Sequence, residues 1–343
     1  MMNENGLKKA SDLFRSLATK NIMIIGDVMI DLYLFGSVDR ISPEAPVPVV
    51  AVNRRARHLG GAANVALNIK AMGARPVLCS VIGQEEKSQE FMQLMKENDL
   101  FSGVILHSKS RITTTKFRII GNNVQLLRVD EECTESLSEE DMKTFLNLVE
   151  VAIKEQHIDA IIFQDYDKGV ITPALITKVA NLATKMKIPV TVDPKHRNFG
   201  AYKNITLFKP NLKELKEGLG IEAASFDIES LKLAAQKIHI RQKVDLVMIT
   251  LSEDGIFISR RNNDGTFTVE HLAAHRRSIA DVSGAGDTVI SVATLGLAAG
   301  MNDFDIAALS NLAGGQVCEY VGVVPVNKEK LLHEWAKINE TVG

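Results

Sequence analysis

Short runs rich in Val and Ile alternate along the chain with longer segments whose apolar residues recur at helical spacing. Strands separated by helices of this length are typical of an α/β protein with a mainly parallel central sheet that helices cover on both faces. The pattern predicts strands at residues 22–26, 76–81, 158–163, 189–192, 205–208 and 244–250. It predicts helices at residues 62–72, 86–98, 138–156, 173–186, 228–240 and 285–299.

Local signals mark two of the predicted helix starts. Thr172 and Pro173 are the residue types favoured at the N-cap and at the first helical position. Ser138 is followed by three acidic residues, in a first turn where the helix dipole stabilises negative charge. Both positions are therefore expected to begin helices.

The alternation of strands and helices breaks at residues 32–52 and 113–129. The first stretch contains three prolines, which exclude a helix, and the second has the pattern of a hairpin with a Gly-Asn-Asn turn at 121–123. Neither an internal repeat nor a Gly/Ser-rich linker sets these stretches apart. We predict that they form a small β-sheet lid, at about 32–53 and 112–130, inserted in a single domain of 343 residues.

Composition and charge narrow the possible partners. Lys and Arg number 40 and Asp and Glu number 42, so the formal net charge is −2, which argues against a nucleic-acid partner. The longest uncharged run, residues 288–302, is shorter than the roughly 20 residues of a membrane span, and the N-terminal segment lacks the apolar core of a signal peptide. The three cysteines are far apart, without a CxxC pair. We therefore expect a cytoplasmic protein with reduced thiols and no membrane partner.

The clearest candidate for chemistry is the segment at 281–288, which leads into the uncharged helix. Gly284, Ala285 and Gly286 are small residues at a helix N-terminus, where exposed backbone N–H groups form an anion pocket. Asp287 follows directly and is placed to take a proton from a hydroxyl while the pocket holds a phosphoryl group. The alternative is a tight turn with a capping aspartate.

Two further segments supply candidate sugar contacts. Gly60 and Gly61 open a predicted helix and permit close backbone approach to a ligand, and Asn64 lies one turn further on, where it can hydrogen-bond hydroxyl groups. Asp27 and Asp31 lie at or just beyond the end of the first predicted strand, and the carboxyl ends of parallel strands line the ligand crevice. The alternatives are helix–strand packing for the glycines and turn chemistry for the acids.

These segments together resemble the ribokinase-type (PfkB) carbohydrate kinases over residues 21–326. The resemblance rests on Gly60-Gly61 with Asn64 and on residues 281–287, where Val282-Ser283 departs from the usual Thr-x and the Gly-Ala-Gly-Asp core is intact. It implies a three-layer α/β/α ribokinase-like fold with a mainly parallel central sheet and a small β-sheet lid. It also implies ATP and Mg²⁺ as cofactors.

Within that family, seven segments in order resemble the D-glycero-D-manno-heptose 7-phosphate kinases of lipopolysaccharide-core biosynthesis. The likeness implies phosphorylation of the anomeric hydroxyl of a heptose 7-phosphate to the 1,7-bisphosphate, in ADP-heptose synthesis. The chain stops about where such a kinase would end, so we expect the stand-alone form. The segments are 26–31, 40–49, 115–118, 125–130, 165–169, 193–195 and 209–214.

The resemblance also implies a role for each matching residue. Asp287 would be the catalytic base, and Gly284, Ala285 and Gly286 the anion hole for the transferring phosphoryl group. Four residues would bind the nucleotide, the first two by ordering Mg²⁺ and the ATP phosphates, with Glu214 acting through water: Asn211, Glu214, Thr250 and Gly255. Asp281 would belong to the shell of a K⁺ ion. The alternative for Asn211 and Glu214 is a helix cap with an ordinary surface acid.

Three basic residues are candidates for the distal phosphate of the substrate, because Lys and Arg are the residue types that bind phosphate. They are Lys116, Arg118 and Lys195. The alternative is that they are solvated surface cations.

Other functions remain open at this point. A kinase of the same type for another sugar or sugar phosphate would share Asp287 and differ in the lid. A dinucleotide-dependent oxidoreductase is disfavoured because no G-x-G-x-x-G follows the first strand. A non-catalytic sugar-binding protein on a kinase fold is disfavoured by the intact Gly-Ala-Gly-Asp, Asn211 and Glu214.

The lid sequence also predicts a homodimer. Apolar residues of 113–129 fall on both parities, with Phe117, Ile119 and Val129 on one and Ile120, Val124 and Leu126 on the other. One body can cover only one face of such a sheet, so a second copy of the lid is expected to cover the other. The alternative is a monomer whose lid closes over its own substrate.

Overall fold

The computed structural model describes residues 4–100, 104–221 and 227–341, whose strands form sheets of nine and four strands. The strands are β1 (Asn21–Gly26), β2 (Val28–Ile41), β3 (Pro48–Gly61), β4 (Arg75–Ile82), β5 (Val104–His107), β6 (Thr115–Gly121), β7 (Val124–Glu131), β8 (Ala160–Gln164), β9 (Val190–Asp193), β10 (Leu207–Phe208), β11 (Leu246–Thr250), β12 (Ile256–Arg261) and β13 (Phe267–Leu272). The α-helices are α1 (Glu4–Ala18), α2 (Ala62–Ala71), α3 (Glu86–Glu97), α4 (Glu139–Glu155), α5 (Pro173–Met186), α6 (Leu212–Leu219), α7 (Ile228–Gln242), α8 (Ala285–Ala298), α9 (Asp303–Val317) and α10 (Lys328–Thr341).

The large sheet has the strand order β13-β12-β11-β10-β9-β8-β1-β4-β5. In this order, neighbouring strands are parallel from β11 through β10, β9, β8, β1 and β4 to β5. The strands β12 and β13 add an antiparallel edge. In the centre, Ile24 of β1 pairs with Leu78 of β4 and with Ile162 of β8. The predicted mainly parallel sheet is confirmed, while β5, β12 and β13 were not predicted.

β1 shows why helices cover both faces of this sheet. Ile22 and Ile24 point into one apolar core, and Met23 and Ile25 point into the other, because successive side chains of a strand alternate between faces. The first core is closed by α1, α2, α3, α8, α9 and α10, and the second by α4, α5, α6 and α7. The predicted three-layer α/β/α architecture is confirmed. Within the described ranges, no helix is both long and apolar enough to cross a membrane.

The helix starts follow their caps where the sequence carries a signal. The Thr172 hydroxyl accepts the N–H of Leu175 at 3.3 Å, and the Ser138 hydroxyl accepts the N–H of Asp141 at 3.1 Å. The helices α1, α6, α9 and α10 were not predicted. The α9 helix is buried on nearly all sides from Ile306 to Val317, so it lacks the polar face from which a helical period is recognised.

The small sheet has the order β3-β2-β6-β7 and comes from the two stretches that break the alternation. Asn122 and Asn123 form its predicted turn with φ of 51° and 64°, the left-handed values that tight hairpin turns require. The strands are longer than predicted, since β2 begins one residue after β1 and β3 runs directly into α2. Asp31, Gly60 and Gly61 therefore lie on this sheet.

Candidate functional site

Polar residues gather at the edge of the large sheet where the parallel strands end. In open α/β sheets, ligands bind in the crevice outside these carboxyl ends. The helix α8 begins at the same edge, because its first turn contacts side chains from β8 and from α2. The polar residues that end or follow β1, β8, β9, β10 and β11 are Asp27, Gln164, Asp165, Tyr166, Asp193, Lys209 and Thr250.

The predicted anion pocket lies at the start of α8. Gly284 is the N-cap, with a φ of 80° that a glycine adopts without strain, and no side chain caps the helix. The N–H of Ala285 donates to the carbonyl oxygen of Val282 at 3.3 Å, and the N–H groups of its neighbours Gly284 and Gly286 can receive an anion, which the helix dipole also favours. A Cβ on Gly286 would lie 3.7 Å from both the Asp193 carboxylate and the Lys209 ammonium. The small residues thus bring the helix backbone close to this charged pair.

Asp287, the predicted base, is almost fully buried, with 5% of its surface exposed. Its Oδ2 accepts from Asn64 Nδ2 at 2.7 Å, and its Oδ1 accepts from Tyr166 Oη at 2.6 Å and from Gln164 Nε2 at 3.1 Å. Burial raises the pKa of Asp287 to about 6, although the hydrogen bonds from Asn64 and Tyr166 act in the opposite direction. A carboxylate with this pKa is suited to accept a proton near neutral pH.

The glycine pair at the start of α2 brings predicted substrate residues close to the base. A Cβ on Gly60 would lie 2.3 Å from Asp31 Oδ2, so only glycine allows this carboxylate its position. Gly61 is the N-cap of α2, and Asn64 lies one turn further along. Asn64 was predicted to contact substrate hydroxyls, and here it donates to Asp287.

Two ion pairs lie beside the anion pocket, one buried and one partly exposed. Lys209 and Asp193 are both buried and form a pair at 3.0 Å. Lys195 pairs with Glu214, and its ammonium lies 5.5 Å from the centre of the Tyr166 ring. Burial opposes the charged form of Lys195, but the carboxylates of Asp193 and Glu214 outweigh it and raise its pKa. Lys195 was predicted with Lys116 and Arg118 as a candidate for the distal phosphate; here it contacts Glu214 and Tyr166 of the body, beside the predicted nucleotide residues.

Three of the predicted nucleotide residues, Asn211, Glu214 and Thr250, meet at the start of α6. Asn211 and Glu214 form a capping box, in which each side chain accepts the backbone N–H of the other. Thr250 forms an isolated parallel bridge with Asn211. Gly255 lies after the 3-10 turn Ser252–Asp254, with a φ of 89°. Glu214 is buried and paired with Lys195, so the alternative of an ordinary surface acid does not describe it.

Asp27 has a different role from the predicted sugar contact. It is buried, and its two oxygens accept the backbone N–H groups of Tyr166, Lys168 and Val170 at 2.9, 3.1 and 3.0 Å. Such bonds satisfy a carboxylate that is shielded from solvent. Asp27 therefore anchors the loop after β8, a role that was not predicted from the sequence.

One face of the small sheet carries the other predicted substrate residues. Asp31 lies opposite Lys116, and Tyr33 lies opposite Arg118, in the parallel ladder of β2 and β6. The guanidinium of Arg118 pairs with the Asp31 carboxylate. Burial lowers the pKa of Lys116, and the facing Asp130 carboxylate offsets only part of this effect. This face therefore combines a carboxylate for hydroxyl groups with two cations for a phosphate.

Asp281 joins the two loops that flank the α8 N-terminus. Its Oδ1 accepts from the N–H and the hydroxyl of Ser283 at 2.9 and 2.8 Å, and its Oδ2 accepts the N–H of Gly322 at 2.9 Å. Burial alone would raise the pKa of Asp281, but these bonds outweigh it and lower the pKa. An ionised oxygen donor near the anion pocket fits the neighbourhood of a cation.

Comparison with known proteins agrees with this arrangement. Residues 19–330 match the profile of the pfkB family carbohydrate kinases. The chain belongs to the pfkB family. It is therefore an ATP-dependent sugar kinase. The ribokinase-like fold is also that of phosphofructokinase-2 from Escherichia coli, solved in complex with potassium, with a TM-score of 0.76 and 17% identity over 94% of this chain and 99% of that one.

Curated relatives of this pfkB kinase are longer proteins. The bifunctional protein HldE of Methylobacillus flagellatus is 40% identical over 313 residues, which are 91% of this chain and 62% of that protein. The bifunctional protein HldE of Pelobacter propionicus is 35% identical over 95% of this chain and 65% of that protein. The chain thus spans a little under two thirds of the length of these relatives.

Four residues of this kinase site were not assigned roles from the sequence. Three of them, Tyr166, Asp193 and Lys209, belong to segments that supported the family resemblance, and all four end or follow a buried strand of the large sheet. That position at a strand's carboxyl end is the signal that could have found them. The residues are Gln164, Tyr166, Asp193 and Lys209.

Proposed function

We propose that this kinase transfers the γ-phosphoryl group of ATP to the anomeric hydroxyl of a heptose 7-phosphate. The observation that carries the proposal is the buried Asp287 carboxylate directly beside the uncapped N-terminus of α8. The specificity for a heptose 7-phosphate, D-glycero-D-manno-heptose 7-phosphate in particular, is supported by the seven segments that resemble kinases of that class and by the relatives named HldE. The product would be a heptose 1,7-bisphosphate for ADP-heptose synthesis.

The chemistry is an in-line phosphoryl transfer. Asp287 takes the proton of the acceptor hydroxyl, and the freed oxygen forms a bond to the γ-phosphorus. The bond between that phosphorus and the bridging oxygen of ADP breaks, and ADP leaves with the electron pair. The N–H groups of residues 284–286 stabilise the charge on the transferring phosphoryl group.

The residues near Glu214 fit a magnesium ion held mainly by nucleotide phosphates. Within the described residues no group of three or more His, Cys, Asp or Glu side chains could hold a metal ion by itself. Glu214 is buried beside Lys195 and can reach such an ion through water. Bound Mg²⁺ neutralises charge on the β- and γ-phosphates. Asp281 would belong to the shell of a K⁺ ion, as its place near the α8 N-terminus suggests.

The distal phosphate of the sugar is proposed to bind on the polar face of the small sheet. Arg118 and Lys116 supply the cations, and Asp31 supplies an acceptor for sugar hydroxyls. A phosphate near Lys116 would stabilise its charged form, which burial disfavours. We therefore name the small sheet (β2, β3, β6 and β7) the lid, since it would cover the substrate.

An ADP-release assay over a panel of acceptors tests the substrate. The panel contains heptose 7-phosphates, the same heptoses without phosphate, ribose and fructose 6-phosphate, each with ATP and Mg²⁺. The highest kcat/KM is expected for a heptose 7-phosphate. A higher value for fructose 6-phosphate or ribose would identify a pfkB kinase for another sugar, and the absence of turnover with every acceptor would favour a sugar-binding role.

We also propose that two copies pair through their lids. The lid face opposite Asp31 carries Leu32, Leu34, Phe117 and Ile119, and the ladder places Leu127 and Val129 on that same face. Leu127 is 56% exposed. A second lid on this face would cover these apolar side chains.

A further inference from the structure

We propose that Tyr166 is a positioning residue for Asp287: its hydroxyl occupies one carboxylate oxygen and leaves the other free to take the proton of the acceptor. This inference rests on the proposed role of Asp287 as the base. It adds a residue to that reaction and an assignment of which carboxylate oxygen reacts.

The assignment comes from counting donors on the two oxygens. An ionised carboxylate offers about four lone-pair sites, two on each oxygen. Among the described residues, Oδ1 of Asp287 has two donors, Tyr166 Oη at 2.6 Å and Gln164 Nε2 at 3.1 Å. Oδ2 has one, Asn64 Nδ2 at 2.7 Å. The remaining site lies on Oδ2, so that oxygen accepts the proton from the substrate.

The position of Tyr166 is set by the protein and does not depend on a ligand. Its backbone N–H donates to Asp27 Oδ2 at 2.9 Å, and the same carboxylate fixes the N–H groups of Lys168 and Val170. The buried Asp27 therefore holds the loop that delivers the phenol to Asp287.

The Tyr166 hydroxyl stays protonated near neutral pH, so it acts there as a hydrogen-bond donor. Burial of the hydroxyl, and then the charge of Asp287, raise the pKa of Tyr166 well above its ordinary value. Tyr166 therefore keeps its proton and stabilises the ionised form of Asp287. A hydrogen bond to an ionised group is stronger than one between neutral groups, so its loss should disfavour that form.

Other charged groups around Asp287 are largely paired. Asp193 raises the pKa of Asp287 and Lys209 lowers it, and these two form an ion pair with each other. Lys195 also faces Asp287, and it is paired with Glu214. With the surrounding charges balanced in this way, the three side-chain donors are the main local means of keeping Asp287 ionised.

The test is the pH profile of Tyr166→Phe, which removes the hydroxyl and keeps the ring. The acidic limb of kcat/KM should move upward by about one to two pH units from its wild-type position near 6. Relative to the wild type, kcat/KM should then be lowest at and below about pH 6 and should recover as the pH rises. An unshifted limb would overturn the proposal.

Tyr202→Phe is the matched control. Tyr202 is buried, and its hydroxyl donates at 2.6 Å to Asp165 Oδ2, a carboxylate whose pKa burial also raises to about 6. This variant loses the same kind of hydrogen bond, but the carboxylate that loses it is Asp165, which follows β8 and is not the proposed base. It should lower the melting temperature and leave the acidic limb in place. An equal shift in both variants would show a general effect on the fold and would overturn the proposal.

A second variant covers the case in which Tyr166→Phe does not fold. Replacing Tyr166 by 3-fluorotyrosine lowers the pKa of the phenol and makes it a stronger donor, so the acidic limb should move downward. A limb that stays in place or moves upward would overturn the proposal. Asp287→Asn tests the proposed base separately. Activity in that variant would exclude Asp287 as the base. Loss of activity in Asp287→Asn together with an unshifted pH profile in Tyr166→Phe would overturn only the role of Tyr166.

Discussion

Three buried aspartates at one edge of the sheet differ in what donates to them. Asp27 accepts three backbone N–H groups, which tie down a loop. Asp165 accepts side-chain bonds from Asn198 and Tyr202. Asp287 accepts only side-chain bonds and lies in the first turn of a helix without a side-chain cap. Burial alone therefore does not distinguish Asp287, the proposed base, from the other two; its free lone pair beside an anion pocket does.

Asp287→Asn should lower turnover by about 10²-fold or more while the affinity for ATP changes only a few-fold. The amide keeps the shape of the side chain and cannot take a proton. In the wild type, the pKa of Asp287 is raised to about 6, so kcat/KM should be constant at higher pH and fall as the pH drops below about 6. Steady-state kinetics across this range measure both effects. Near wild-type turnover in the variant would exclude Asp287 as the base.

Arg118→Ala and Lys195→Ala should affect different substrates. Arg118 faces the proposed sugar-phosphate site, and Lys195 pairs with Glu214 beside the nucleotide residues. A charge-assisted bond contributes about 1.5–3 kcal/mol, so each loss should raise one Michaelis constant about tenfold to a hundredfold. We expect Arg118→Ala to raise KM for the sugar phosphate and Lys195→Ala to raise KM for ATP.

Arg55→Ala is the control for the loss of a lid cation. Arg55 lies opposite Leu34 in the β2–β3 ladder, on the lid face away from Asp31. Because this face is also the proposed lid interface, both Michaelis constants should be unchanged at enzyme concentrations at which the variant and the wild type have the same mass in sedimentation. An increase in KM for the sugar phosphate in Lys195→Ala would restore the grouping of Lys195 with Lys116 and Arg118.

At the scale of elements, the start of α6 serves two purposes that mutation can separate. Asn211→Ala removes a capping box, and Ser138→Ala removes the cap of α4 far from the nucleotide residues. Each should lower the free energy of unfolding by about 1 kcal/mol. Only Asn211→Ala should also weaken ATP binding, as calorimetry with a non-hydrolysable analogue would show. Equal nucleotide affinity in the two variants would leave Asn211 as a cap alone.

Elements were predictable where local chemistry and tertiary packing agree. The α5 helix begins at Pro173 after a threonine cap, and its bounds match the prediction. The edge strand β13 was missed because exposed polar and charged residues alternate with its half-buried ones. The β12 strand was missed because its apolar run, Ile256–Ile258, is short and two arginines end the strand. The parity argument for the lid was incomplete, because a bulge between Ile119 and Ile120 shifts the register. The shifted register packs the Leu126 side chain against Gly121.

The parts of the site that lie within short continuous segments of the chain could be predicted from the sequence. Residues 284–287 form the expected helix start, because small residues and an aspartate have a strong local preference there. The role of Asp27 depends on a loop 139 residues away in sequence, and that of Tyr166 on a helix 121 residues away. A local sequence pattern cannot reveal contacts between residues that are so far apart in the chain, so only the structure shows these contacts.

At the scale of the whole molecule, the lid strands are continuous in the chain with the elements that carry the candidate site. Only Asp27 separates β1 from β2, and β3 ends at Gly61, directly before the first residue of α2, the helix that carries Asn64. Arg111 donates to the carbonyl oxygens of Cys133, Glu135 and Lys168, which joins the connections on both sides of β6 and β7 to the Asp27-anchored loop. Movement of the lid would therefore be transmitted to the loop that carries Tyr166.

The outer face of the lid leads to the prediction on assembly. At its base, this face meets α3, where Lys87 lies 5.7 Å from the Phe117 ring centre and Arg57 pairs with Glu90. Beyond α3, Leu127 and Val129 are 56% and 44% exposed. A twofold contact between two lids would bury these side chains, and each lid would then be stabilised by a sheet from its partner.

Sedimentation equilibrium at micromolar concentration should therefore show a species near twice 37.6 kDa. Leu127→Lys should shift it toward the monomer, raising the dissociation constant at least about tenfold, because a buried unpaired charge is costly. Leu233→Lys is the matched control: Leu233 is 60% exposed on α7, away from the lid, and its substitution should leave the dimer intact. A wild-type monomer would contradict lid pairing, and equal dissociation in the two variants would place the interface elsewhere. Because the lid also carries Arg118, dissociation of the dimer should raise KM for the sugar phosphate more than KM for ATP.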